Sequence, residues 1–325
     1  MTIFKPVTPE QIAEKVPPAV QAWFQLRPDS SATCGATLLK NTARSTVCRI
    51  EGVGPGGSHI VAKRCSRTDG ELEAFVYREV LDRLSLASLH CYGFVDEGDG
   101  EYGWLFLEDG GAAQVAGKGQ GFPLDFSPWL AQLHASASRL PIRNRLPDRG
   151  PAWYLEILRT SRLELCQRAP EGNWDDSSRS AIEETLICFE ILERNWRLIE
   201  ERCEVLPQTM VHCDLQAKNI LVRHTGSGNA FLPLDWEYAG WGPPAADLAG
   251  IDAEGYCSAA QRTWPRLKLE QVQEQVNCGK LFHIISAVGW EALRLAAGSE
   301  EKALRRLQIY APRLRAALQR LGLGV

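Results

Sequence analysis

The rhythm of hydrophobic and polar positions changes once along the chain. Residues 1 to about 30 carry scattered prolines and predict a short helical lead-in. Over 33–110 the rhythm is mainly that of strands. TLLKNTARSTVCRIEG predicts two strands joined at Asn41 to Ser45, and SHIVAKR predicts the next, with β-branched Ile60 and Val61 at its centre. GELEAFVYREVLDRLS sets Leu72, Phe75, Val76, Val80 and Leu84 along one helical face. YGFVDEGDGEYGWLFLEDGG reads as two strands around an acidic turn. Residues 111–126 are rich in glycine and poor in apolar residues, the composition of a linker. From 128 onward the period is helical. Ile182, Leu186, Phe189, Leu192, Trp196, Ile199 and Cys203 predict one amphipathic helix of about seven turns over 178–204. ALRRLQIYAPRLRAALQRLG predicts another, kinked near Pro312. One stretch breaks this helical half: QTMVHCDLQAKNILVRHTGSGNAFLPLDWEYAG reads strand, loop, strand, glycine-rich turn, strand.

Composition narrows the class. The chain has 325 residues, 45% of them hydrophobic and 23% charged, an ordinary globular balance with room for about two domains. The net charge of −4 argues against nucleic acid as a partner. No apolar run approaches the roughly 18 residues of a membrane span, and the N-terminal stretch lacks the apolar core of a signal peptide. A cytoplasmic protein with no membrane partner is the expectation. Ten cysteines lie singly, without C-x-x-C or zinc spacing, and read as small core residues in a reducing compartment.

Two stretches carry candidate chemistry. GVGPGG, Gly52 to Gly57, matches G-x-G-x-x-G, a pattern that can cradle phosphate. It ends six residues before Lys63, with one short strand filling the gap, so it reads as the turn between two strands. The second stretch is more specific. His212-Cys213-Asp214 is followed by Asn219, an apolar run, and then Asp235 at the end of FLPLD. Phosphoryl transfer from ATP needs one carboxylate facing the attacking hydroxyl, and oxygen ligands that hold Mg²⁺ on the phosphates. An aspartate, an asparagine and a second aspartate across a hairpin supply these groups.

This stretch resembles the catalytic core of the aminoglycoside phosphotransferase and choline kinase family. HCDLQAKNILV is similar to the family's H-x-D-x-x-x-x-N loop, and LPLDWEYAGWGPPAADLA to its metal-binding aspartate segment, with D-L-A at Asp247 to Ala249. WLAQLHA at 129–135 resembles a short helical element of the family. The resemblance spans roughly 33–250. Where the family usually has glycine between the loop's histidine and aspartate, this chain has Cys213. No D-F-G or A-P-E is present, which disfavours a protein substrate.

The resemblance implies an α+β, bilobal protein-kinase-like fold: a small antiparallel β-rich N-terminal lobe at 1–110, a linker at 111–127, and a larger, mainly helical C-terminal lobe at 128–325 carrying the catalytic hairpin 210–236. It implies an ATP-dependent small-molecule O-phosphotransferase. Asp214 would be the base and Asn219 and Asp235 the Mg²⁺ ligands. Lys63 would reach the α- and β-phosphates, and Glu79 on the following helix would pair with it, with Glu73 the competing choice. Ser45 and Thr46, in the loop Asn41 to Thr46, would cover the phosphates. Backbone groups of Leu107, Glu108 and Asp109 would meet the adenine, with Ala62, Val47, Leu221 and Leu234 lining its slot. Asp247 reads as a structural group holding the loop backbone, and His134 as a satisfied core histidine.

The acceptor, a small hydroxylated molecule, is less defined. Acidic residues outnumber arginines over 175–204, which would suit a cationic aminoglycoside, or else form a solvated face. Between 294 and 320 basic residues dominate. Gln216, Trp236, Tyr238 and Trp241 also resemble choline kinases, whose aromatic cages hold quaternary ammonium groups. A silent nucleotide-binding scaffold and an atypical protein kinase are the alternatives. The oligomeric state is open.

Overall fold

The computed structural model describes residues 9–29, 35–42, 45–84, 86–98, 100–111, 114–115, 122–123, 125–168, 174–226 and 228–324. Ala43 and Arg44 of the Asn41–Thr46 loop, and most of the expected linker 111–127, lie outside them.

The chain opens with α1 (Pro9–Leu26), then β1 (Ala36–Asn41), β2 (Thr46–Ile50) and β3 (Ile60–Ser66). Helix α2 (Arg67–Phe75) continues through a π-helical turn, Val76–Leu81, into α3 (Asp82–Leu84). Strands β4 (Cys91–Asp96), β5 (Tyr102–Glu108) and β6 (Gln114–Val115) follow. Helices α4 (Phe126–Ala137), α5 (Pro151–Arg168), α6 (Asp176–Arg194) and α7 (Trp196–Cys203) lead to β7 (Thr209–Val211). The predicted hairpin is β8 (Ile220–Thr225) and β9 (Gly228–Pro233), and β10 (Gly240–Gly242) comes next. Helices α8 (Ala253–Ala260), α9 (Leu269–Ala296) and α10 (Glu300–Arg320) complete the fold.

Two compact units form. The first comprises Met1–Gly121 and Leu215–Ala239, the second Phe122–Asp214 and Gly240–Val325. The hairpin β8–β9, which the sequence reading placed in the helical lobe, therefore groups with the sheet.

In the first unit the sheet is antiparallel with order β1-β2-β3-β5-β4. Its pleat separates two faces. On one, Cys48, Ala62 and Phe106 are in register across β2, β3 and β5, and α1 covers them through Trp23, whose ring lies 5.4 Å from Phe106 and 5.3 Å from Tyr92. On the other, Val47, Lys63 and Leu105 are in register. The helix after β3 starts earlier than Gly70, capped by the Ser66 hydroxyl, which accepts the Asp69 N–H at 3.1 Å. Its π-helical turn shifts the phase from the expected stripe. Glu73, Val76, Tyr77, Val80 and Leu81 face inward, leaving Leu72, Phe75 and Leu84 half-buried.

The GVGPGG stretch joins β2 to β3 as its spacing predicted. Its amides bond within the turn, Gly54 to the Ser58 carbonyl at 2.9 Å and Gly57 to the Gly54 carbonyl at 3.0 Å. Gly52, Gly56 and Gly57 hold positive φ, as such turns require.

In the second unit helices α5, α6, α9 and α10 surround a core in which Tyr154 stacks on Phe282 at 3.9 Å. The single long helix expected over 178–204 is two helices. It breaks at Asn195, where φ is −111° and the side-chain amide donates to the Ile191 carbonyl at 2.8 Å, competing with the helical ladder. Helix α10 instead runs through Pro312. Among the described residues the cysteines are free thiols and mostly buried, and no helix is long and apolar enough to cross a membrane.

Candidate active site

The pleat of β3 turns Lys63 away from α1, and α2 meets it on that side. Lys63 Nζ lies 2.5 Å from Glu73 Oε1, 2.9 Å from Asp235 Oδ1 and 3.0 Å from Glu237 Oε2. Burial works against the ammonium charge, but the three carboxylates, Glu73 foremost, hold its pKa well above the ordinary lysine value. Glu73 is fully buried, and burial pushes its carboxyl up to about 7 against the opposing pull of Lys63. Glu79, the partner favoured from sequence, is not that partner. It faces outward, 40% exposed, with Arg83 at 3.9 Å. Helical period decides this, because Glu73 and Tyr77 share the inward face and Glu79 lies off it. The Tyr77 hydroxyl donates to the Pro233 carbonyl at 3.2 Å, fixing the helix to the end of β9.

The expected nucleotide slot needs one exchange. Ala62 is fully buried against α1, on the face opposite Lys63, so it cannot line a slot that Lys63 reaches. The residue two before the lysine, Val61, shares its face and pairs with Leu107. Of the adenine-edge residues, Glu108 commits its N–H to the His90 carbonyl at 2.8 Å and its carboxylate to Arg223 at 2.6 Å. Asp109 is 2.6 Å from Arg49. Leu221 and Leu234 are half-buried at the ends of the β8–β9 pair. Ser45 and Thr46 spend donors on their own turn: the Ser45 N–H on the Thr42 hydroxyl and the Thr46 hydroxyl on the Asn41 amide oxygen, each at 3.0 Å.

The base of the β8–β9 hairpin brings Asn219 and Asp235 together. The Leu234 N–H donates to the Asn219 carbonyl at 2.7 Å, one step beyond the Ile220–Pro233 pair. Asn219 is buried at the end of a short 3₁₀ turn. Asp235 follows at φ 60°, ψ 58°, the left-handed region that costs an L-residue about 1–2 kcal/mol and that aspartate tolerates better than most. One oxygen each from Glu73, Asp235 and Glu237 lie within 4.8 Å of one another. Glu237 was not assigned from sequence; its signal was its place two residues after Asp235, on the short turn Trp236–Tyr238.

In the second unit the loop around Asp214 is organised from behind. Asp247 is buried on the 3₁₀ turn Pro244–Asp247. It accepts the His212 N–H at 2.7 Å and the Cys213 N–H at 2.8 Å, and meets His134 Nε2 at 3.2 Å. The other nitrogen of His134 meets the Tyr256 hydroxyl at 2.9 Å, so His134 is a satisfied core residue. The Asp214 N–H donates to His212 Nδ1 at 3.3 Å. Cys213 stands at φ 65° where the resembled family has glycine, and its thiol shares a hydrogen bond with the Tyr154 hydroxyl. Burial pushes the thiol's pKa up, as does the Asp247 carboxylate, so Cys213 stays neutral and poorly nucleophilic. Among the described residues, Cys213 and Asp235 are the two non-glycine residues with positive φ. Such strain concentrates at functional turns.

An antiparallel sheet bearing a buried lysine–glutamate pair, with H-x-D-x-x-x-x-N ahead of a carboxylate hairpin, defines a small-molecule phosphotransferase of the kinase fold. The chain belongs to the phosphotransferase enzyme family (APH), whose sequence model matches residues 37–274. A search of curated protein sequences gives no match. Among solved structures, an ethanolamine kinase from Plasmodium vivax is similar at 13% identity and TM-score 0.63, covering 95% of this chain and 89% of that one. Spectinomycin phosphotransferase, solved with ADP and spectinomycin, gives 12% and 0.61, over 92% and 98%. Choline kinase from Cryptosporidium parvum gives 15% and 0.57, over 89% and 91%. At these identities the likeness establishes the fold.

Proposed function

We propose that the protein transfers the γ-phosphate of ATP to a hydroxyl of a small molecule. The observation that carries this reading is the Lys63–Glu73 pair meeting Asp235 and Glu237. Lys63 binds the α- and β-phosphates, and Glu73 keeps its ammonium in place. Asp214 orients the acceptor hydroxyl. The hydroxyl oxygen bonds to the γ-phosphorus as the bond from that phosphorus to the β,γ-bridging oxygen breaks. The hydroxyl proton passes to the Asp214 carboxylate, and ADP leaves with the electron pair of the broken bond.

The donor set fits magnesium: the carboxylates of Asp235 and Glu237 lie close together, and with the carboxamide of Asn219 at the base of the same hairpin they are hard oxygen ligands. When bound, Mg²⁺ neutralises phosphate charge and holds the nucleotide in line. Similar structures solved with ADP or GDP support a purine nucleotide as donor. The acceptors named for relatives (ethanolamine, aminopropanol, choline, spectinomycin, kanamycin) support a small hydroxylated molecule as the class.

The test is ATP turnover against a panel of hydroxylated acceptors, repeated with Asp214→Asn. The variant is expected to lose about 10²- to 10⁴-fold in kcat while retaining nucleotide binding. Full transfer by the variant excludes Asp214 as the base.

A further inference from the structure

Tyr77 lies four residues after Glu73 on the helix that follows β3, and both side chains are buried. That spacing puts them on one helical face. Glu73 meets Lys63, whereas Tyr77 reaches the end of β9 and donates its hydroxyl to the Pro233 carbonyl at 3.2 Å. Trp236 is fully buried, so it is no wall of an open aromatic cage, and its indole N–H donates to the same Pro233 oxygen at 3.2 Å. A carbonyl oxygen has two lone pairs. Here one partner comes from the helix and the other from the turn after Asp235.

The other end of the same peptide is also held. The Leu234 N–H donates to the Asn219 carbonyl at 2.7 Å. A peptide unit is planar, so its carbonyl and its N–H turn together. Three hydrogen bonds therefore fix the Pro233–Leu234 plane, and that plane joins two candidate metal ligands. Asn219 is bonded to its N–H, and Asp235 is the next residue along the chain. Asp235 stands at φ 60°, ψ 58°, a conformation that persists where the surroundings impose it.

A second tie links the helix to Asp235. Lys63 bridges Glu73 to Asp235 and Glu237. That tie depends on an ammonium which the proposed reaction needs at the phosphates. The Tyr77 bond joins two neutral groups and makes no such exchange. Burial keeps the Tyr77 hydroxyl protonated, with its pKa well above the ordinary tyrosine value, so it remains a donor.

We propose that Tyr77 is a positioning residue for Asn219 and Asp235: with Trp236 it pins the one peptide unit through which both are placed, and it keeps Asp235 set when Lys63 turns to the nucleotide. This inference rests on the phosphotransferase reading and names a residue that acts there through others.

Tyr77→Phe removes one oxygen and keeps the ring. Val80→Ala, buried on the same π-helical turn, is the control for lost packing. Mn²⁺ with the β,γ-imido analogue of ATP is titrated onto each protein by electron paramagnetic resonance, and the analogue without metal by calorimetry. Tyr77→Phe is expected to weaken Mn²⁺ binding about tenfold, the scale on which partners behind metal ligands act. Its affinity for the metal-free analogue stays unchanged, and its melting temperature is no lower than that of Val80→Ala. In turnover, its kcat falls at limiting Mg²⁺ and recovers as Mg²⁺ is raised. Unchanged Mn²⁺ affinity in Tyr77→Phe overturns the role. An equal weakening in Val80→Ala also overturns it, as does failure of Tyr77→Phe to fold, since the hydroxyl then serves the fold alone. If wild type binds the metal–analogue pair and turns over ATP while Tyr77→Phe matches it, the phosphotransferase reading stands without this inference. A wild type that binds no metal with the analogue removes both.

Discussion

Lys63 Nζ sits 2.5 Å from Glu73 Oε1 in a buried pair, while Glu79 points outward toward Arg83. Replacing Glu73 with Gln removes the nearest counter-charge of Lys63, the lysine proposed to bind the phosphates. Glu73→Gln is expected to raise the ATP KM or lower kcat by at least tenfold, whereas Glu79→Gln stays within twofold. Steady-state kinetics on both decide. Equal losses would reinstate Glu79.

The same pair has a pH signature. Burial raises the Glu73 carboxyl from its ordinary value of 4.5 to about 7, so between these values the folded protein binds more protons than the unfolded chain. Stability contributed by this group is therefore present below about pH 4.5 and lost as pH rises toward 7, by up to ~3 kcal/mol. Denaturant melts from pH 5 to 8 should show the decline, and Glu73→Gln should flatten it. An unchanged slope in the variant means that other groups produce it.

Asp247 reaches two amides of the loop that carries Asp214. Asp247→Ala leaves those amides and His134 without their buried acceptor. A stability loss of about 3 kcal/mol or more is expected, with kcat falling more than the ATP KM rises. A variant with normal kcat would show that the turn holds its shape unaided.

Cys213 at φ 65° can be replaced by glycine without steric cost, but not by a β-branched residue. Cys213→Val should destabilise by about 1–3 kcal/mol. Cys213→Gly relieves the strain but gives up the bond to Tyr154, so its melting temperature should stay within a few degrees. Equal melting temperatures for the two variants would remove strain as the explanation.

The GVGPGG turn resembles a phosphate cradle only in spelling. Gly57 holds φ 78°, so Gly57→Ala costs about 1 kcal/mol or more of stability. Its ATP KM should remain within twofold. A selective rise in that KM would return the turn to the nucleotide site.

Much of this architecture was legible from sequence. Alternation located β3 and with it Lys63, and the spacing of Asp214, Asn219 and Asp235 identified the hairpin whose base the Asn219–Leu234 bond closes. The failures have local causes. Glu79 follows from the likeness of YREVLDRL to the family's helix, whereas Glu73 lies on the inward face that meets Lys63. The resemblance puts Ala62 in the slot with Lys63, although neighbours on a strand point to opposite faces. The break at Asn195 depends on one side-chain bond that periodicity does not report.

The dependence of the Asp214 loop on Asp247 also sets an order of events during synthesis. His212 receives its acceptor from a residue 35 positions downstream. A nascent chain that has emerged only through Asp235 already carries Lys63, Glu73, Asp214 and Asn219, yet lacks the group that shapes the loop. The loop that carries Asp214 therefore takes its shape only after the turn at Pro244–Asp247 has been made.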